Sequence, residues 1–186
     1  MDGGRGRRGR PATPSCINIV GRRKLRLNPR MRNFDQLIGK DEHFMRLALR
    51  EAERALEHDD VPVGAVIVRH GEVVGAGHNE RELRQDPSAH AEMLALREAA
   101  RRLGTWRLLD TTLYVTLEPC TMCAGAIVLG RIPRVVYGTA DPKAGAAGSV
   151  LDVLAEPRLN HRPEVEGGLL AEECAAPLVA FFAARR

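Results

Sequence analysis

A three-layer α/β/α domain is the architecture this sequence predicts, and two observations predict it. From about residue 41 onward, segments with apolar residues at helical spacing alternate with short β-branched runs. The later strand runs each lead straight into a helix start, as in a sheet covered by helices on both faces. At 186 residues the chain has material for one such domain and is short for two.

Taken in order, Asp41 is a suitable cap for a helix running to about His58, with Phe44, Leu47, Ala48, Ala52, Ala55 and Leu56 on one face. Val61 to Val68 is β-rich, and His70-Gly71 turns it into a second strand over Glu72 to Gly77, giving a hairpin. Asp86-Pro87 opens a helix over Ala89 to Leu103 that stops at Gly104, with His90 and Glu92 in its first turns. A strand follows at Thr112 to Leu117, then a helix from Pro119-Cys120 to about Leu129 and a strand at Arg134 to Tyr137. A short helix at Ser149 to Leu154, a strand at Glu164 to Glu166 and a helix from Leu169 to Arg186 complete the chain. Pro177 falls inside that last pattern, where a kink is expected because proline removes a hydrogen bond and crowds the preceding turn.

Charge is unevenly placed. Residues 1–40 carry 11 Lys/Arg against 2 Asp/Glu, which leaves 17 against 22, a net −5, for residues 41–186. The pI of 9.2 therefore describes the tail, and any nucleic-acid contact by the body must be local. The Arg/Gly/Pro-rich stretch from Met1 to about Lys40 lacks periodicity and is expected to be a disordered basic extension, with residues 41–186 as the folded domain. It reads as an RNA-contacting arm or as a dispensable extension, including one ahead of a working start near Met31. A transit peptide fits less well, since Ser15 is its only serine. No apolar run approaches the roughly 18–20 residues that span a bilayer, so a cytoplasmic protein with no membrane partner is expected.

Chemistry concentrates in His90-Ala91-Glu92 and Pro119-Cys120-Thr121-Met122-Cys123. A Cys-x-x-Cys alone is also a redox pair or half of a structural metal site, and a lone His-x-Glu is usually a solvated helix start. Together they offer one imidazole and two thiolates, suited to tetrahedral Zn2+ with the fourth position left for water. A helix start lowers the thiolate pKa of Cys120 and Cys123, and their i,i+3 spacing puts both sulfurs on one face. Glu92, two residues beyond His90, reaches a metal-activated water without being a ligand and is the natural proton carrier. A closed four-ligand site would need Cys16, Cys174, His78 or His161; Cys174, among Ala and Leu, reads as a buried apolar thiol.

These segments resemble the cytidine/deoxycytidylate deaminase superfamily, whose signature they carry. Further stretches narrow the resemblance to the bacterial tRNA-specific adenosine deaminases: Val61-Pro62-Val63-Gly64-Ala65-Val66, Asp86 to Glu92, Tyr114 to Cys120, Gly145-Ala146-Ala147-Gly148-Ser149 and Asn160-His161-Arg162. The resemblance implies a cytidine-deaminase-like α/β/α fold on a mixed five-stranded sheet and one zinc on His90, Cys120 and Cys123, with Glu92 as general acid and base. It also implies that Asn79 and the Ala91 amide hold the target nucleoside and that Asp141 contacts a nearby ribose hydroxyl. The implied reaction is hydrolysis of adenosine to inosine in a tRNA anticodon stem-loop, an arginine tRNA being the expected species, by a homodimer. From the residues alone, the leading readings are Asn79 as a turn residue after the hairpin and Asp141 as a cap before Pro142. Ala140 departs from the family, where Arg is common; Phe181-Phe182 and Arg185-Arg186 offer stacking and phosphate contacts, or core packing and a solvated helix end. The rival readings are a deaminase of a free base or nucleoside (guanine, cytosine or cytidine) and a non-catalytic RNA-binding subunit.

Overall fold

The computed structural model describes residues 29–185, with side chains from residue 39 onward. The elements run α1 (Pro29–Ala55), a single 3-10 turn, β1 (Gly64–Arg69), β2 (Glu72–His78), α2 (Arg81–Arg84), α3 (Ala91–Leu103) and β3 (Thr111–Leu117). They continue with α4 (Thr121–Gly130), β4 (Arg134–Thr139), β5 (Glu164–Gly167) and α5 (Ala171–Ala183). The sheet is mixed, in the order β2-β1-β3-β4-β5. β1 pairs antiparallel with both β2 and β3, while β3, β4 and β5 are parallel.

Alternation along the strands divides the core in two, because successive side chains leave opposite faces of a sheet. Ala65, Ile67, Leu113, Val115 and Val135 join Ala91, Ala95 and Ala99 of α3 and Ala124, Ile127 and Val128 of α4. Val66, Val68, Tyr114 and Val136 face the other way, onto Met45 and Ala48 of α1 and Cys174 of α5. The three layers are therefore α3/α4, sheet, and α1/α5, as the sequence predicts. α3 lies almost on the backbone of β2, and a Cβ at Gly75 or Gly77 would collide with the α3 main chain. Those two glycines set the height of α3 above the sheet.

Four local expectations are overturned. The first helix begins at Pro29, twelve residues before Asp41, so residues 29–40 belong to it; proline suits a first helical position. Asp41 does not cap it, because its buried carboxylate is taken by Tyr114 and by Arg134, whose Nη2 lies 2.7 Å from Oδ2. Leu56 is exposed, and Met45, one position beyond Phe44, takes the buried place. Ser149 to Leu154 forms turns instead of a helix, because Gly148 adopts φ +127° and the Ala147 and Ser149 amides are drawn to Glu118. α2 was not anticipated, and α5 runs through Pro177. No helix among the described residues is long and apolar enough to cross a membrane. Residues 1–28, with Cys16, and Arg186 lie outside the described residues.

Candidate active site

The C-terminal ends of parallel strands are where an α/β sheet gathers its loops and helix starts, and this chain builds its site there. β3 delivers Cys120 as the N-cap of α4, one turn before Cys123. From the other side His90 is the N-cap of α3, with Glu92 in its first turn. Cys120 Sγ and Cys123 Sγ each lie 3.7 Å from His90 Nδ1. All three donor atoms fall within 4.8 Å of one another, an arrangement able to hold a metal ion. Among the described residues, none of the alternative fourth ligands approaches it. Cys174 is buried beside Gly138, His161 Nε2 pairs with the Ile132 carbonyl, and His78 sits between His58 Nε2 (3.1 Å) and Glu51 Oε2 (3.2 Å).

The donor set's own electrostatics favour a cation at its centre. The hydrogen bond from Cys123, with His90 adding to it, holds the Cys120 thiol well below its usual range despite burial. Cys123 is pushed up by Cys120, by burial and by Glu92. His90 is raised chiefly by its bond to Cys120, and burial raises Glu92, which is 3% exposed. Two thiols and a carboxyl this close cannot all ionise without positive charge among them, and a metal ion held there would supply that charge.

Above this floor opens a cavity of about 630 Å³, lined among others by Asn79, Arg81, Glu92, Asp141, Lys143 and Phe182. Asn79 is buried and fixed at both ends: Nδ2 donates to the Val61 carbonyl (3.0 Å) and Oδ1 accepts from the Ala91 amide (3.1 Å). The Ala91 N–H is thus engaged by Asn79, and a base contact from it would share that donor. Asp141 Oδ1 accepts from the Lys143 (2.9 Å) and Ala144 (3.2 Å) amides, the loop-cap arrangement, while the residue also lines the cavity. Phe181 is buried under the Arg185 guanidinium, 3.4 Å from the ring centroid, whereas Phe182 is half exposed on the cavity wall.

The chain matches the MafB19-like deaminase family model over residues 39–185. It is 53% identical over 143 residues to the tRNA-specific adenosine deaminase of Bacillus subtilis (strain 168), covering 77% of this chain and 89% of that one. This chain belongs to the tRNA-specific adenosine deaminase family. Among solved structures it is similar to one from work on A-to-I editing by tRNA:A34 deaminases at the wobble position, with TM-score 0.71, 48% identity, and 73% and 99% of the two chains covered. It is more distantly similar to a guanine deaminase from Nitrosomonas europaea, with TM-score 0.67, 25% identity, and 76% and 84% covered.

Among the cavity residues with no role assigned from sequence are Arg81, Glu118 and Ala140. Arg81 is anchored by Nε (3.2 Å) and Nη2 (2.8 Å) to the buried Asp60. Glu118 is 2% exposed and gathers the loop that carries Asp141. Ala140 lines the cavity and supplies no charge. Asp60 and Glu118 are acids that burial alone would penalise, and a buried acid beside a strand end is a signal available in sequence only once its partners are known.

Proposed function

We propose that this chain deaminates adenosine to inosine hydrolytically at the wobble position of a tRNA anticodon, using one zinc held by His90, Cys120 and Cys123. The observation that carries the reading is the convergence of these three donors with buried Glu92 on the floor of one cavity, in a chain 53% identical to a tRNA-specific adenosine deaminase. With Zn–S near 2.3 Å and Zn–N near 2.1 Å, a tetrahedral edge is about 3.6 Å. The observed sulfur-to-nitrogen separations of 3.7 Å fit that edge without movement. Zinc, when bound, acts as a Lewis acid that brings the pKa of water towards neutrality.

The chain's own residues do the rest. Glu92 takes a proton from the attacking water and delivers it to N1 of the base, then carries the remaining hydroxyl proton to the departing amine, so that water oxygen becomes the C6 carbonyl and ammonia leaves. Asn79, locked between Val61 and Ala91, keeps one Nδ2 hydrogen for a base acceptor. Asp141 meets a ribose hydroxyl at the rim. An anticodon loop is already single-stranded, so extruding the base costs only a few kcal/mol of unstacking.

The same reading takes an arginine tRNA as substrate and a cytoplasmic homodimer as the working form, the latter checked by light scattering. Its decisive test incubates zinc-loaded protein with an arginine-anticodon hairpin bearing adenosine at the wobble position, and in parallel with free nucleosides and guanine. Inosine at that one position is expected. Turnover of free bases or nucleosides alone would replace this reading with the free-substrate deaminase, and no turnover of any would leave the binding subunit.

A further inference from the structure

The cavity wall formed by residues 140–149 has neither helix nor strand to hold it, yet it carries Asp141, Lys143 and Ala144. Its amides converge instead on one buried acid. Glu118 Oε1 accepts from the Ala147 (2.9 Å) and Ser149 (3.1 Å) amides, and Oε2 accepts from the Asp141 amide (3.0 Å) and the Ser149 hydroxyl. The main chain of Glu118 adds a bond to the Thr139 carbonyl at 2.8 Å, at the end of β4. The loop is folded so closely over the carboxylate that a Cβ at Gly145 would collide with it and with the Asp141 carbonyl. The same loop touches the α4 start through Ala146 N to Pro119 O (2.8 Å) and a Cys120–Gly145 bridge. Among the described residues no Arg, Lys or His forms an ion pair with Glu118. All of its hydrogen bonds therefore serve this loop and the end of β4.

We propose that Glu118 is the positioning residue of the substrate loop: by gathering the amides of Asp141, Ala147 and Ser149 it sets where Asp141 and Lys143 meet the RNA, and so governs RNA affinity separately from the chemical step. The inference rests on the tRNA reading above. It differs from support of the metal site, because none of the side-chain bonds of Glu118 reaches a metal donor.

The test replaces one carboxylate oxygen by a donor of equal size. Glu118→Gln turns one acceptor into an NH2 that faces N–H groups, so bonds on that atom are lost while volume is kept. Charge-assisted bonds correspond to roughly 10–150-fold in an equilibrium constant. The zinc-loaded full chain should retain its metal and cooperative melting, keep kcat for the hairpin within about twofold, and show KM and anisotropy-measured Kd raised about tenfold or more. Ser149→Ala, which removes one donor and is mild enough to fold, should weaken binding in the same direction by a few-fold. In an Asp141→Asn background the effect of Glu118→Gln should shrink to under about twofold, because both act through one loop. Wild-type Kd in both Glu118→Gln and Ser149→Ala overturns the proposal, as do full additivity with Asp141→Asn, a fall in kcat with Kd kept, or loss of zinc. If Glu118→Gln does not fold, Ser149→Ala alone decides, and an unchanged Kd there overturns it. Failure of the tRNA reading looks different: the wild type itself then neither binds nor deaminates the hairpin, and both conclusions fall together.

Discussion

At the residue scale the proposed function assigns metal binding and proton transfer to different side chains, so each should be removable alone. Cys120 and Cys123 supply two of the three candidate donors, so Cys120→Ala and Cys123→Ala should each lose most bound zinc by metal analysis of the purified protein. Full occupancy in both would remove the ligand assignment. Glu92 touches the donor set from a buried position but is not one of the three metal donors. Glu92→Ala should therefore keep about one zinc per chain and lose 10²–10⁴-fold in kcat, about 3–5 kcal/mol of barrier. A near-normal rate would assign the proton to another group. These residues were legible in the sequence because the chemistry constrains both their types and their spacing over a few positions. Glu118 and Asp60 were not, because their partners lie 21–31 residues away and answer to no local period.

At the element scale, α1 is fastened to the sheet by the Asp41, Tyr114 and Arg134 cluster, with Glu166 of β5 sharing the guanidinium at 2.7 Å. Burial pushes the Asp41 carboxyl up, but the bonds from Arg134 and Tyr114 outweigh it and hold the group below its ordinary value. A carboxylate whose folded pKa is depressed contributes stability that is fully present above its unfolded pKa of about 4 and is lost as pH falls through the folded value. Removing one member of a buried ion pair leaves the other uncompensated, so Asp41→Ala should cost about 3 kcal/mol at pH 7. In urea titrations the gap between wild type and variant should narrow steadily below about pH 4. A gap independent of pH would mean packing, not charge, fastens the helix. The sequence placed a helix here by its apolar spacing but misjudged its start, since an acid near a helix origin reads as a cap whenever a distant arginine is invisible.

At the scale of the whole molecule, the cavity offers few cations to a polyanion. The body from residue 41 carries net −5, and Arg81 and Lys143 are the cations lining the cavity among the described residues. Two phosphate contacts to single-stranded RNA give a slope of about −1.4 in log K against log salt. A protein lacking residues 1–28 should show hairpin binding with a slope shallower than about −3 between 50 and 300 mM KCl, measured by anisotropy. A much steeper slope would mean a basic surface elsewhere on the body. Comparison with the full chain then measures what the 8 Lys/Arg and 1 Asp of residues 1–28 contribute, and an identical slope makes that extension a bystander.

By itself the sequence determined the layer architecture and all five strands, and it picked out His90, Cys120 and Cys123, whose donor atoms the fold brings within 4.8 Å of one another, with Glu92 buried beside them. Periodicity and motif spacing are local properties, written within one element or one turn. Only the tertiary structure decided that α1 starts at Pro29, that residues 149–154 wrap as turns, that Asn79 is locked to the Ala91 amide, and that Phe181 is core while Phe182 faces the cavity. The turns at 149–154 and the seat of Asn79 depend on which distant group satisfies a buried donor or acceptor. That pairing is settled by the packing of the layers, because a buried polar group must find its partner wherever the fold has placed it.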